Sequence, residues 1–367
     1  MRDGTDESAN EAVQLPARDL RTRSVLDVLD ELFADEEAWV VGGAVRDQAL
    51  DRPVVDVDVA VREPRAAARK LAKRVGGAHF LLSGQHGAWR VALDGGHTVD
   101  FTPLPGSIED DLASRDFGIN AIAERVGSDE TVDPYDGRGD LQAGRIRAVA
   151  DTVFQDDPLR LLRAVRLEDE LGFRITRETE ELVRRDAPLV TAPAGERVVA
   201  ELWKLSPQGY RRLDELGLLE PLGGQLDERL DRWDSPAYRL VAVFGERLRR
   251  FPVSNDLRRL ASALLRAERP EPEARSIHRF RRATEPWALE ALAFVGASEL
   301  GGAVEEARRN DPPEPLLRGD ELGLPPGPEI GRLLAEIDEE RAAGTIATKE
   351  EALDYARRRA GAVRQDG

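Results

Sequence analysis

Apolar residues recur at helical spacing along SVLDVLDELFADE (residues 24–36), which predicts a helix. The pattern changes at AWVV (38–41) to a short buried strand that ends at Gly42-Gly43, and AVRDQAL (44–50) predicts the first turns of another helix. Arg52-Pro53 marks a turn. Residues 54–61 alternate strictly and predict a strand with one buried face, with Val55, Val57 and Val59 aimed into the core. PRAAARKLAKRV (64–75) predicts a helix with Pro64 near its start. Three further strands are predicted at 78–82, 87–93 and 97–102, separated by Gly-containing turns. The result is a mixed sheet with few helices that ends near residue 150.

From 151 to about 300 the apolar period is helical and strand signals are few. DDPLRLLRAVRLEDELGF (156–173) sets Leu161, Leu162 and Val165 on one stripe of a helix, and Asp157, Arg160 and Arg163 at i, i+3 spacing on a second, polar stripe. RAERPEPEARS (266–276) predicts a linker, and the Pro- and Gly-rich 311–329 opens a small C-terminal unit. The fold class is α+β: a mixed-sheet N-terminal unit followed by an all-α remainder.

Composition narrows the possible functions. No apolar run approaches the ~20 residues that cross a bilayer, so no membrane role is expected. The first 20 residues are polar and acidic without a signal-peptide core, and read as a loose arm. Cysteine is absent, which removes disulfides and thiolate metal sites; the cytoplasm is the expected compartment. The net charge is −17. A chain so acidic is not coated in basic charge, yet an Arg-lined channel can sit within an acidic body. Lysine occurs only at 70, 73, 204 and 349, so nearly every cation is an arginine, the residue that clamps phosphate with a bidentate fork.

Within DRPVVDVDVAV (51–61), Asp56 and Asp58 stand two apart on a strand and project from the same face. Adjacent carboxylates repel unless a cation lies between them. Hard oxygen donors suit Mg²⁺ or Mn²⁺. A third carboxylate, Asp100 in TVDFT, is predicted on a strand of the same sheet, so Asp56, Asp58 and Asp100 form a candidate two-metal site. Taken alone, Asp-x-Asp also fits an ordinary solvated strand face. The Gly42-Gly43 pair, between a strand and a helix, exposes backbone N–H groups and lets phosphate approach, with Arg46 one turn further on.

Together these features resemble the nucleotide-binding motif of the polymerase-beta-type nucleotidyltransferases. In particular, they are similar to the class II tRNA nucleotidyltransferase (CCA-adding enzyme) and poly(A) polymerase family: Gly-Gly, Val-Arg-Asp, then Asp-x-Asp after twelve residues counted from Gly43. Further segments match in order between about residue 30 and 355. EDDLASRDFGINAIA (109–123) resembles the second motif, which implies ribose and triphosphate contacts from Arg115, Asp116 and Asn120. DPYDGRGDLQAGRIRAV (133–149) resembles the head-to-neck segment, DDPLRLLRAVR (156–166) the helix that reads the incoming base, and ERVVAELWKL (196–205) the next neck motif. The tail LRGDELGLPPGPEIGRLLAEIDEERAAGTIATKEEAL also matches. Carried over by position, Asp157 and Arg160 bond the base edge; an acceptor and a donor together match either cytosine or adenine. Arg163 and Arg166 either meet phosphate or brace the neck.

The resemblance implies an N-terminal arm (1–22), a nucleotidyltransferase head (23–150), a helical neck (151–205), a helical RNA-binding body (206–310) and a helical tail (311–367). It implies CTP and ATP as substrates, a divalent ion as cofactor, and the tRNA 3′ end and acceptor stem as partner; oligomeric state is left open. The body would hold A-form RNA by shape and phosphate contacts, with GERLRRF (245–251) and RSIHRFRRA (275–283) as candidate basic stretches. Two departures stand out. Ser114 replaces the first Arg of the second motif and Gly118 its usual Thr, and only fourteen residues separate Asp100 from Arg115. The short segment resembles CC-adding relatives. CCA addition, CC addition, poly(A) synthesis and a catalytically weak RNA binder therefore all remain open. The histidines, His79, His86, His97 and His278, form no His-Asp pair, so no phosphohydrolase domain is expected.

Overall fold

The computed structural model describes residues 24–83, 87–104, 106–312 and 314–363. The expected N-terminal arm and His86 lie outside the described residues. The chain divides into two compact units, Met1–Leu222 and Gly223–Gly367. The expected boundaries at 150, 205 and 310 fall inside these units.

The first unit opens with α1 (Val25–Phe33), β1 (Ala38–Val41), α2 (Gly43–Ala49), β2 (Asp56–Val61) and α3 (Pro64–Val75). Then come β3 (Ala78–Ser83), β4 (Ala88–Ala92), β5 (Thr98–Pro103), α4 (Ile108–Ala113), β6 (Ala123–Arg125), β7 (Thr131–Val132) and α5 (Gly137–Ala143). Seven strands form one sheet in the order β3-β4-β5-β2-β1-β6-β7. β2 and β5 run parallel, and the other neighbours are antiparallel. The helix starts follow local chemistry: Ser24 accepts from the Leu26 N–H and donates its own N–H to Asp27, a capping box. α3 starts on Pro64 and stops at Gly76 in the left-handed region.

One sheet face carries Val57, Val59, Val91, Val99 and Phe101, all buried. Phe101 meets Phe33 of α1 with ring centroids 5.7 Å apart. Val55 is a correction to the expected pattern: it precedes β2 and is 46% exposed. Because it lies outside the strand, the alternation does not fix its direction, and it lines a cleft together with Asp56 and Asp58.

The rest of this unit is helical apart from the short parallel pair β8 (Arg145–Ile146) and β9 (Arg174–Ile175). Its helices are α6 (Val153–Asp156), α7 (Arg160–Leu171), α8 (Arg177–Asp186), α9 (Gly195–Leu202) and α10 (Pro207–Glu215). Leu161, Leu162 and Val165 are fully buried along α7, as the spacing predicts. Asp157, however, lies outside α7. It precedes Pro158, whose ring disfavours helical backbone at the residue before it, and its φ and ψ of −143° and 100° are extended.

The second unit contains α11 (Pro236–Phe244), α12 (Asn255–Arg266), α13 (Ala274–Thr284), α14 (Ala288–Val295), α15 (Gly301–Arg309), α16 (Pro328–Ala342) and α17 (Lys349–Val363). Trp233 stacks on Phe294 at 4.8 Å. Leu317, Ile337, Ile346, Ala352 and Ala356 form a separate apolar cluster at its C-terminal end. The basic stretch 275–283 lies along α13 and meets acids of α16: Arg275 with Glu340 at 2.8 Å, Arg279 with Glu339 at 3.2 Å, Arg282 with Asp338 at 3.5 Å. Exposed pairs of this kind contribute little to stability, because solvent screens them.

The backbones at Gly118 and Gly137 approach each other closely. A Cβ at 137 would meet the Gly118 carbonyl oxygen at 2.1 Å. Gly137→Ala is therefore expected to lower the unfolding free energy by about 1–3 kcal/mol, read as a lower urea midpoint at unchanged m-value.

Candidate active site

Directly paired residues on neighbouring strands share a sheet face. Asp58 on β2 is registered with Asp100 on β5, and Asp100 with Arg90 on β4. Asp56, one pleat earlier, is registered with Thr98 and accepts its hydroxyl at 2.8 Å. The Asp56/Asp58 face is thus the one opposite Val57 and Val59. Burial pushes the Asp58 carboxyl above the usual carboxylate range; Arg115 opposes this, while Asp100 and Asp56 add to it.

Asp56 and Asp58 fit a hard divalent cation, because their accumulated negative charge is what such an ion would relieve. The expected three-carboxylate set is not assembled. The Arg90 guanidinium takes both Asp100 oxygens, Nε to Oδ1 and Nη2 to Oδ2, each at 2.7 Å. Among the described residues, no three His, Cys, Asp or Glu side chains are grouped to hold a metal ion. The cross-strand fork occupies both Asp100 oxygens, while Asp56 and Asp58 face the cleft.

A cleft of about 670 Å³ opens in front of these two carboxylates. Gly42, Gly43, Arg46, Arg115, Asp116, Asn120, Asp157, Arg160 and Arg163 all line it; Asp100 does not. Gly42 has φ +73°, and a Cβ there would lie 2.6 Å from Arg115 Nη1. Glycine is required twice over at this position, for its backbone conformation and for the close approach of Arg115. Arg115 is steadied by Asp111, one turn back on α4, at 2.9 Å.

A chain of polar contacts runs from the glycine turn to α7. Arg46 is buried, donates to both Asp47 oxygens at 2.9 Å and to Asn120 Oδ1 at 2.8 Å. Asn120 Nδ2 donates to Asp116 Oδ1 at 3.0 Å, which also accepts the Phe117 N–H at 2.8 Å. Arg163 Nε lies 2.9 Å from Asp116 Oδ2. Burial alone would raise the Asp116 carboxyl, but Arg163, Asn120 and the Phe117 amide together hold it below the usual range. Asp116 in turn raises the Arg163 guanidinium.

At the far end, Asp157 and Arg160 do not pair with each other. Asp157 accepts the Leu159 N–H at 3.1 Å and meets Arg197 of α9 at 2.9 Å. Arg160 donates to the Ser114 carbonyl at 2.6 Å and the Val153 carbonyl at 3.3 Å. Arg166 joins Glu201 at 2.6 Å and Glu170 at 2.5 Å, so it braces α7 against α9. Arg52, in the turn after α2, reaches Glu170 at 3.0 Å. The departures at 114 and 118 also have structural settings. Ser114 contributes its backbone oxygen to Arg160. A side chain at Gly118 would meet Asp140 Oδ2 at 2.9 Å, and Asp140 is fully buried and paired with Arg145 and Arg147.

Arg90, Arg197 and Asp111 escaped the sequence reading, and Asp47 entered it as the last residue of the Val-Arg-Asp triplet without a partner. Arg90 and Arg197 gain their partners through strand register and helix packing, for which one sequence carries no signal.

Comparisons with known proteins identify the family. The sequence profile of the poly(A) polymerase head domain matches residues 38–104 and 94–147, and that described as the probable RNA and SrmB-binding site of polymerase A matches 172–229. An A-adding tRNA nucleotidyltransferase of Deinococcus radiodurans is 33% identical, covering 88% of this chain and 95% of that protein. A CC-adding tRNA nucleotidyltransferase of Thermus thermophilus is also 33% identical, covering 88% and 94%. The structure of the Bacillus stearothermophilus CCA-adding enzyme in complex with CTP aligns with a TM-score of 0.69 at 25% identity, over 96% of this chain and 100% of that one. With the Gly-Gly turn, the paired aspartates and the arginine-lined cleft in one place, and relatives matching over 88% of its length, the chain belongs to the class II tRNA nucleotidyltransferase and poly(A) polymerase family.

The raised Asp58 carboxyl sets a pH-dependent expectation. The folded state disfavours its ionised form. That penalty is absent below the ordinary carboxylate range, grows as pH rises towards the raised value, and persists at neutral pH. Asp58→Asn should therefore raise Tm at pH 7. The gain should vanish in acid, as calorimetry at several pH values would show.

Proposed function

We propose that this tRNA nucleotidyltransferase adds C, A or both from CTP and ATP to the tRNA 3′ end, with the cleft in front of Asp56 and Asp58 as the transfer site. The observation that carries the reading is the meeting, in one cleft, of two cation-seeking carboxylates, a glycine turn and six arginines, in a protein of net charge −17. The 3′-oxygen of the RNA forms a bond to the α-phosphorus as the bond to the β-phosphate oxygen breaks, and pyrophosphate leaves. A Mg²⁺ or Mn²⁺ held by Asp56 and Asp58 would supply charge stabilisation at the reacting oxygens.

The chain's own residues do the rest by positioning and charge. Gly42 and Gly43 let the triphosphate reach the backbone, and Arg46 and Arg115 neutralise it. Asp116 and Asn120 hold the ribose side and keep Arg46 and Arg163 in place. Asp157 and Arg160 read the base edge after exchanging Arg197 and the two carbonyls for the base. Arg197 is the group that keeps Asp157 aimed until then. Residues 23–150 act as head, 151–205 as neck, 206–310 as body and 311–367 as tail, in the cytoplasm.

A second reading, addition of CC alone, is favoured by the brief link between β5 and α4. β5 ends at Pro103 and α4 begins at Ile108. Purified protein with Mg²⁺, CTP and ATP, offered tRNA ending at the discriminator base, at C and at CC, separates the outcomes. Full CCA supports the main reading, a stop at CC the second, and long A tails a poly(A) polymerase. Asp56→Ala/Asp58→Ala should bind tRNA and add nothing; retained addition would remove these residues from the chemistry. Gly42→Ala, which displaces Arg115, should weaken CTP binding at least about tenfold while the protein stays folded.

A further inference from the structure

The carboxylate row continues past Asp100 to the edge of the sheet. Asp58 is registered with Asp100, Asp100 with Arg90, and Arg90 with Phe80 on β3. All four therefore stand on the face that bears Asp56 and Asp58, opposite the valine core. β3 is the edge strand, and Phe80 is 47% exposed. Leu81 is as exposed but lies on the opposite face, and an irregularity in register follows it. Leu82, also exposed, falls within that irregularity, so Phe80 is the exposed apolar residue of β3 whose register partner is Arg90.

Three features of this row have no role in the chemistry already described. A large aromatic ring is left in solvent in line with the reacting carboxylates. A guanidinium stands between ring and carboxylates, with two of its N–H groups on Asp100 and three more available to another acceptor. The spacing is also suggestive: strands lie about 4.8 Å apart, so Arg90 falls about 10 Å and Phe80 about 14 Å from Asp58. At the stacked rise of about 3.4 Å per nucleotide, that length covers roughly four nucleotides of a single strand, and fewer when it is extended. Alternating cation and aromatic ring is the arrangement that holds single-stranded nucleic acid without reading its sequence.

We propose that the row Asp58–Asp100–Arg90–Phe80 is the track along which the RNA 3′ strand lies, with Arg90 on a backbone phosphate and Phe80 stacked on a base upstream of the terminal nucleotide. This rests on the reading of the cleft as the transfer site. The track takes the end of the RNA and the arginine-lined cleft takes the nucleotide, and the two meet at Asp58.

The test measures steady-state addition to tRNA, binding of a short single-stranded RNA by fluorescence anisotropy at several salt concentrations, and CTP binding by calorimetry. Phe80→Leu keeps an apolar side chain and should raise KM for tRNA and the RNA Kd roughly tenfold, the scale of one lost stacked base. Phe80→Trp should restore both. Arg90→Gln should flatten the dependence of log K on log salt by about 0.7, the increment for one phosphate on a single strand, and Arg90→Lys should keep the slope. CTP affinity should stay within about twofold in the Phe80 variants. Wild-type KM, Kd and salt slope in Phe80→Leu and Arg90→Gln would overturn the track. So would a change of oligomeric state in Phe80→Leu without loss of RNA affinity, which would assign the strand edge to a second copy of the chain. If the wild-type protein binds RNA but extends no tRNA end, the transfer reading fails, and the same Kd ratios still decide the track.

Discussion

Like charge held together at the open end of a sheet is the constraint on which the rest of this protein depends. Parallel pairing of β2 and β5 brings Asp58 and Asp100 side by side, with Asp56 one pleat away. Burial and the two neighbouring carboxylates push the Asp58 carboxyl up, so the folded chain carries an electrostatic penalty there. The surrounding arginines answer it unequally. Arg90 pairs with both oxygens of Asp100, Arg115 acts on Asp58 across the glycine turn, and Asp56 accepts a threonine hydroxyl. The charge gathered on Asp56 and Asp58 is what a bound cation would relieve. Destabilisation of this kind is common where a fold is shaped for chemistry.

The same economy of charge extends across the cleft. Asp47, Arg46, Asn120, Asp116 and Arg163 form one connected line, so each cation is aimed by an acid and each acid satisfied by a cation or amide. A long arginine fixed in this way loses little freedom when phosphate arrives, which favours tight positioning. In the second unit the balance differs. Arg275, Arg279 and Arg282 are matched against acids on α16 and so contribute to packing more than to a basic surface. An acidic chain thus keeps its arginines for places where geometry gives them work.

Local signals in the sequence account for much of the fold and much of the site. Period-two alternation placed Asp56 and Asp58 on one face, and the Gly-Gly pair marked the strand-to-helix turn where a side chain would strike Arg115. Helical spacing placed Leu161, Leu162 and Val165 in a buried stripe. These features depend on residues a few positions apart, whose relation the backbone sets by itself. Asp157 shows the limit even at short range, since the proline after it overrides a spacing that otherwise suits a helix.

What only the tertiary structure decided is which charges answer one another. Asp100 belongs to the carboxylate row by composition, yet its register partner Arg90, ten residues earlier, removes it from the set of available donors. Asp157 is held by Arg197, forty residues on, and Arg160 by the backbone of Ser114, forty-six residues back. Strand register and helix packing are settled by the burial of apolar faces, and the polar partners follow from where that burial leaves them. The sequence by itself therefore determined the chemistry on offer: two carboxylates, a phosphate turn and a supply of arginine. The tertiary structure decided how that chemistry is divided, because electrostatic pairing acts through space while sequence patterns act along the chain.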